Sequence, residues 1–415
     1  MTLTSQSRRT EQQSGTSSAP YRVMVVDDSA VIRGFLTRYL EEDGAIKVVA
    51  TASNGLMALR ALETAKPEVV VLDIEMPEMD GMTALPKIIA ADPEVKVVMA
   101  STLTLKNAEI SLRAIQMGAA DYVPKPETTR AVNANIDFRQ ELVEKVKVYG
   151  AARRRSRGEA VPTSPQPAPT RGTAAPIATR PRGEVAIVAR RGGDAPAAAI
   201  KSLPLPQAGG AREIVLRSPS RQPVELLMIG SSTGGPQALM KLLAALGERL
   251  RRLPVLIVQH MPATFTAILA EHLGRASGLP SAEAKDGEQL VPGRLFIAPG
   301  NHHMTVERAG AAVHIRLDQS PPENFCRPAV DPMLRSLAKS HGGRALAVIL
   351  TGMGHDGLRG AREFVHAGGT VLAQDEASSV VWGMPGAVAT AGLCSAVVPL
   401  DEMAGTVAGL LGVGR

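Results

Sequence analysis

Two groups of residues in this chain have the types and spacing for chemistry. The first is acidic. Asp27 and Asp28 follow an apolar run at Val23–Val26, and Asp73 follows another at Val69–Leu72. Ser101 closes a third run, Val95–Ala100, and Lys125 lies in Asp121-Tyr-Val-Pro-Lys-Pro126. Clustered carboxylate oxygens suit Mg²⁺, a hard cation that keeps several of its waters. A hydroxyl and an ammonium converging on three acids make a site for phosphorylating a carboxylate and sensing the product, the added charge being held by the metal and Lys125. A single strand-end Asp serves as readily as a helix cap. Five matching strand ends argue against capping alone.

The second group suits acyl transfer. Gly230-Ser-Ser-Thr-Gly234 fits the G-x-S-x-G pattern, in which a sharp strand-to-helix turn exposes a serine oxygen, here Ser232. Pro236 suits the first helical turn. The same small-residue junction would also serve as an anion-binding helix start. His260 closes Val255-Leu-Ile-Val-Gln-His260, and Asp356 follows the apolar run Ala347–Leu350. If these strands are parallel neighbours, the three side chains meet at one sheet edge. The imidazole would take the serine proton while the carboxylate fixes its tautomer. The order Ser, His, Asp differs from the Ser, Asp/Glu, His order of ordinary α/β-hydrolases, so that fold is not expected. A lone strand-end His is more often a structural hydrogen-bonder than a base, Asp356 before Gly357 could simply turn the chain, and His302, His303, His314, His341 and His355 are rival bases. Adjacent His302 and His303 would point to opposite faces of a strand, which argues against a metal there.

The elements that must carry these residues are legible as a pattern. From 21 to about 149, short apolar runs alternate with helical-period stretches such as Ala30–Leu40, Gly55–Leu62 and Asn107–Met117. Strands buried on both faces of a parallel sheet read as continuous apolar runs. Five such units predict a doubly wound, five-stranded parallel sheet of flavodoxin-like order, whose ligands bind beyond the carboxyl ends of the strands. Alternation returns from Val224, with runs at Leu226–Ile229, Val255–Val258, Leu295–Ala298, Ala347–Leu350 and Thr370–Ala373, and predicts a second α/β domain with a largely parallel sheet. Residues 1–20 are polar and read as a disordered tail, and 150–222 read as a flexible basic linker rich in Pro, Ala and Arg. The predicted organisation is therefore 1–20, 21–149, 150–222 and 223–415. A short apolar run at Val185–Val188 has no assigned role.

Net charge is +6, but 150–222 holds 13 Arg and Lys against 4 Asp and Glu, a surplus of +9 that leaves the rest of the chain near −3. The positive charge thus belongs to the linker and does not mark a nucleic-acid surface, and aromatics at 3% argue against base stacking. No window offers the roughly 18 apolar residues of a membrane span. There is no signal-peptide core, and the only cysteines, Cys326 and Cys394, are too few for a secreted disulfide framework. A cytoplasmic protein without membrane insertion is expected.

Val25-Val-Asp-Asp-Ser29, Val71-Leu-Asp-Ile-Glu-Met-Pro-Glu-Met-Asp-Gly81 and Tyr122-Val-Pro-Lys-Pro126 resemble a two-component receiver domain. The resemblance implies that Asp73 accepts phosphate from a chemotaxis-type histidine kinase. It implies that Asp28, Asp73 and the Glu75 carbonyl bind Mg²⁺, with Asp27 acting through water, and that Ser101, Tyr122 and Lys125 report phosphorylation. Ile229-Gly-Ser-Ser-Thr-Gly-Gly235, Gln259-His-Met-Pro-Ala263, Ala298-Pro-Gly-Asn-His302, Arg327-Pro-Ala-Val-Asp331, Leu350-Thr-Gly-Met-Gly-His-Asp-Gly357 and Trp382-Gly-Met-Pro-Gly386 resemble, in order, the catalytic domain of chemotaxis protein-glutamate methylesterases. That resemblance implies Ser232 as nucleophile, His260 as base and Asp356 as its orienting partner, with Thr233 and Met353 as active-site neighbours and the Met353 N–H as an oxyanion donor. It implies no cofactor in this domain, methyl-accepting chemoreceptors as substrates, and deamidation of receptor glutamines by the same chemistry. It further implies that the unphosphorylated receiver covers the esterase cleft. One departure is Cys326, where His is expected before Arg327-Pro328.

Two other classes compete with this reading. A catalytically silent scaffold would give no acyl-enzyme burst with an activated ester. A DNA-binding regulator would show salt-dependent DNA binding, but the second half has no helix-turn-helix pattern.

Overall fold

The computed structural model describes residues 19–102, 104–125, 136–161 and 214–412. The tail to residue 18, most of the expected linker (162–213) and the Val185–Val188 run lie outside them. The described residues fall in one compact unit.

The first half runs β1 (Tyr21–Val26), α1 (Ala30–Glu41), β2 (Ile46–Ala52), α2 (Gly55–Ala65), β3 (Val69–Asp73), α3 (Gly81–Ala91), β4 (Lys96–Thr102), α4 (Leu105–Gln116), β5 (Asp121–Lys125) and α5 (Ile136–Ser156). Its sheet has the order β2-β1-β3-β4-β5 with every pairing parallel, as the alternation predicts. The β3 run Val-Val-Val-Leu-Asp is buried throughout, because helices cover both faces. Side-chain caps start the helices: Ser29, Asn54, Asp80 and Thr104 each accept a backbone N–H from the first turn of α1, α2, α3 and α4.

Gly150 is not where folded structure stops. Helix α5 continues to Ser156, and its last turn carries Arg153, Arg154 and Arg155. Arg153 pairs with Asp92 at 2.6 Å, and Arg154 grips both oxygens of Glu68 at 2.5 and 2.8 Å. Arg154 also donates to the Ala19 and Pro20 carbonyls and lies 4.6 Å over the Tyr21 ring. Part of the charge that composition assigns to a linker is therefore spent on internal ion pairs.

The second half contains β6 (Leu226–Ser231), α6 (Gly235–Leu246), β7 (Val255–Gln259), α7 (Ala263–Ser277), β8 (Ser281–Glu283), β9 (Leu295–Ile297), the antiparallel pair β10 (His303–Ala309) and β11 (Ala312–Asp318), α8 (Val330–Ser340), β12 (Ala345–Ile349), α9 (Leu358–His366), β13 (Thr370–Gln374), α10 (Met384–Thr390), β14 (Ala396–Val398) and α11 (Leu400–Leu410). Seven parallel strands form a sheet ordered β14-β13-β12-β6-β7-β9-β8. β6 lies between β12 and β7, so the turns after these three strands open at one edge.

The two halves share apolar packing. Tyr122 of β5 stacks on Phe265 of α7, with ring centroids 4.3 Å apart and planes 9° from parallel. Gln116 Nε2 lies 2.9 Å from His272 Nδ1, and Gln237 Nε2 donates to the Ala119 carbonyl at 2.6 Å.

Candidate active site and phosphoacceptor pocket

Ser232 is the first residue after β6. Its N–H donates to the Thr351 carbonyl at 3.0 Å, and its carbonyl accepts from Gly235 N and from Gln259 Nε2. Gly234 sits at φ 74°, where a side chain would also meet Val380, so only glycine turns the chain here without strain. Across the strand junction, Gly352 packs on the serine. A Cβ there would fall 2.4 Å from Met384 Sδ and 2.9 Å from Ser232 Cβ. The serine is thus set by backbone contacts from two neighbouring strands.

His260 follows β7, and its Nε2 lies 2.7 Å from Asp356 Oδ2. Asp356 is 1% exposed and caps α8 in place of a local side chain: Val330 N donates to Oδ2 at 2.6 Å and Asp331 N to Oδ1 at 3.1 Å. Gly357 N and Asn324 Nδ2 also donate to Oδ1, each at 2.9 Å. Burial opposes the Asp356 charge, but the imidazole and these N–H groups outweigh it and hold the carboxyl below its ordinary value. The neighbouring Asp331 moves the other way, raised by burial and by the Asp356 charge. Asn324 bridges the two, its Nδ2 also lying 3.0 Å from Asp331 Oδ2.

The other imidazole nitrogen is taken. Cys326 Sγ lies 3.3 Å from His260 Nδ1, and among the described residues no hydrogen bond joins the Ser232 hydroxyl to His260. Burial favours the neutral ring, yet the Cys326 sulfur and the Asp356 carboxylate favour the imidazolium more strongly. His260 is pushed up to about 10. In contrast, Cys394 is buried without a charged neighbour and its thiol is raised to about 12.

Thr233 is buried, its carbonyl accepting from the Thr351 hydroxyl at 2.9 Å, and the Met353 N–H has no acceptor among the described residues. Two of the rival histidines are engaged away from Asp356. His303 is buried with Nδ1 accepting from Ala329 N, and burial lowers His341 to about 4.

In the first half, Asp27, Asp28 and Asp73 bring carboxylate oxygens within 4.8 Å of one another. Lys125 Nζ reaches Asp27 at 2.9 Å and Asp73 at 2.6 Å. Burial, with Asp27 adding to it and Lys125 working against it, raises Asp73 to about 6. Three acids facing one ammonium are short of positive charge, and hard carboxylate oxygens are the donors Mg²⁺ prefers, so the residues fit that ion. The Glu75 side chain faces outward, 3.8 Å from Lys106, leaving only its carbonyl for a metal. The Ser101 hydroxyl does not converge on the acids. It lies 2.8 Å from the Ser111 hydroxyl of α4, a partner one helical face away that spacing could not reveal. Tyr122 is buried and stacks on Phe265.

A family model for the CheB methylesterase matches residues 227–407, and one for the response regulator receiver domain matches 23–137. A protein-glutamate methylesterase/protein-glutamine glutaminase 1 of Paramagnetospirillum magneticum is 54% identical over 92% of this chain and 94% of its own. The chain belongs to the CheB methylesterase family. A protein-glutamate methylesterase/protein-glutamine glutaminase of Azospirillum brasilense is 55% identical over 92% of this chain and 91% of its own. The CheB methylesterase catalytic domain of Thermotoga maritima is 40% identical, with a TM-score of 0.44 over 45% of this chain and 98% of that one.

Sequence reading does not single out Asn324, Asp331 or the Cys326–His260 contact. The motif Arg327-Pro-Ala-Val-Asp331 is visible, but nothing in its spacing says that Asp356 caps the helix it begins. A signal was present at Cys326, which stands where the sequence resemblance leads us to expect His.

Proposed function

We propose that this protein is a protein-glutamate methylesterase with glutamine deamidase activity, controlled by phosphorylation of Asp73, and that Ser232, His260 and Asp356 carry its chemistry. The 2.7 Å bond from His260 to the buried Asp356 supports this most directly, because it lies at the end of the strand next to Ser232. The Ser232 oxygen attacks the γ-carbonyl of a methylated receptor glutamate while His260 accepts the hydroxyl proton at Nδ1, which the Cys326 sulfur must first give up. Asp356 stabilises the imidazolium through the opposite nitrogen. The methanol oxygen leaves with that proton, and water then cleaves the acyl-enzyme to give glutamate and free serine. For a glutamine the leaving group is ammonia. Thr233 neighbours the serine, and the Met353 N–H is an open donor for the oxyanion.

In the receiver half, Asp28, Asp73 and the Glu75 carbonyl would hold Mg²⁺, with Asp27 acting through water. The ion would neutralise charge on a phosphoryl group arriving from a chemotaxis-type histidine kinase. Lys125 bridges Asp27 and Asp73, and on this reading it holds one oxygen of the aspartyl phosphate. Ser101, once released from Ser111, takes another. The stacking of Tyr122 on Phe265 and the Gln237–Ala119 bond give the receiver a grip on the esterase half that phosphorylation must weaken. Phosphate can do this only by binding the released arrangement better than the packed one. Methyl-accepting chemoreceptors are the substrates, and the cytoplasm is the place of action. No helix among the described residues is long and apolar enough to cross a membrane.

The test is methanol release from methylated receptor by the wild type and Ser232→Ala, each with and without a small phosphodonor. Release that rises with the phosphodonor and falls at least ~10⁴-fold in the variant is expected. A variant with near-normal turnover removes Ser232 from its role. Wild-type release indifferent to the phosphodonor removes the receiver from control.

A further inference from the structure

The segment Glu323–Cys326 is a two-residue hairpin turn. Glu323 and Cys326 exchange both backbone hydrogen bonds, at 2.9 and 3.1 Å, and the residues between them sit at φ 52° for Asn324 and 64° for Phe325. Such turns place Asn readily at the first central position and glycine at the second. Here the second position holds a phenylalanine, a bulky residue for which positive φ is strained.

Strain of this kind persists where packing rewards it, yet Phe325 is packed against nothing. Its exposure is 103%, the highest of any large hydrophobic residue among those described, the next being Leu105 at 69%. A single exposed apolar residue needs no explanation by itself. Exposure and unfavourable backbone together do, because neither the folded core nor local geometry selects this side chain.

The turn is fixed to the catalytic groups on both sides. Asn324 Nδ2 binds Asp356 Oδ1, Cys326 Sγ sits on His260 Nδ1, and Glu323 pairs with Arg335 of α8. Phe325 therefore projects from directly beside the His260–Asp356 pair on a mounting that cannot swing freely. Aromatic residues fixed at the centre of a contact supply much of its binding energy.

We infer that Phe325 is a substrate-recognition residue: its ring packs on an apolar side chain of the receptor helix, three or four positions from the ester-bearing glutamate on the same face. This rests on the methylesterase reading and adds to it a reason for specificity towards helical protein esters over small ones. Binding energy gained away from the reacting carbonyl holds the ester at Ser232.

The experiment uses the full chain with Phe325→Asn and Phe325→Gly, both of which relieve the positive φ. Each variant should melt at or above the wild-type temperature and hydrolyse p-nitrophenyl acetate within twofold of wild type. Methanol release from methylated receptor membranes should fall about tenfold in kcat/KM, mostly through KM, and Phe325→Trp should recover most of it. Receptor demethylation within twofold of wild type overturns the inference. A parallel loss on both substrates also overturns it, since the turn would then be acting through His260 and Asp356. If the wild type cleaves the small ester but releases methanol from no receptor, the proposed function fails before the variants are compared.

Discussion

Replacing Cys326 by alanine should move the pH dependence of the esterase towards neutrality. A general base must be unprotonated, and His260 is held up to about 10 by the Cys326 sulfur on one nitrogen and Asp356 on the other. A group with that pKa is neutral in about one molecule in a hundred at pH 8. Each unit by which the variant lowers the value multiplies the competent fraction by about ten, until the pKa meets the pH. A weaker base transfers protons less readily, which returns part of the gain. We expect kcat/KM for p-nitrophenyl acetate at pH 7 to rise about three- to tenfold in Cys326→Ala, with the two enzymes converging above pH 10. Removing the sulfur also clears Nδ1 for the Ser232 hydroxyl, which adds to the same effect. The assay is the pH–rate profile of both proteins with a phosphodonor present, and Cys326→Ser as a variant that keeps a polar group on the ring. Superimposable profiles from pH 6 to 10.5 would show that the sulfur does not govern the base.

Three further outcomes follow from packing. Gly352→Ala should lower kcat about 100-fold, because its Cβ overlaps Met384 Sδ and Ser232 Cβ and must displace the serine; single-turnover acylation measures this, and a rate within threefold of wild type would refute the crowding. Arg154→Ala should destabilise the receiver half by about 3 kcal/mol, leaving the buried Glu68 unpaired. Calorimetry should show its melting fall by roughly 10 °C, Arg154→Lys recovering little because one ammonium cannot grip both oxygens; a shift under 2 °C would count against it. Gln237→Ala should remove one bond between the halves, worth about 1 kcal/mol, and raise unstimulated activity about fivefold with little change once the phosphodonor is added. Unstimulated activity equal to wild type would mean this bond does not hold the covered state.

The five strands of the first sheet and five of the seven in the second were legible because parallel strands buried on two faces leave unbroken runs such as Val69–Leu72 and Leu226–Ile229; the three-residue, half-buried β8 and β14 leave no such run. The β10–β11 pair was not, since its strands face solvent on one side and alternate instead. The end of α5 was misleading for a different reason. Its Gly-Ala-Ala-Arg-Arg-Arg composition resembles the linker beyond it, while the acids that pair with it, Glu68 and Asp92, are far away in sequence. At the site, residues at strand ends could be placed by topology, and Ser232, His260 and Asp356 do come to one edge of the sheet. Asn324 and Cys326 could not, because a turn between β11 and α8 has no periodicity to show where it folds back. The Ser101 hydroxyl was expected among the acids and is on Ser111, a choice of rotamer that no spacing records.

The strand order also sets when the esterase can first exist. β6 is central, yet the neighbour on its Asp356 side is β12, and Asp356 beyond it is made 96 residues (356 − 260) after His260. At ~5–20 residues per second, that is ~5–20 s on the ribosome with Ser232 and His260 complete, Asp356 missing and one edge of a strand that ends up fully buried left unpaired. A nascent chain is therefore inert towards receptors through most of its synthesis, and most exposed to aggregation in that same interval. A truncation between His260 and β12 leaves a product with the nucleophile and base but without Asp356 to orient them.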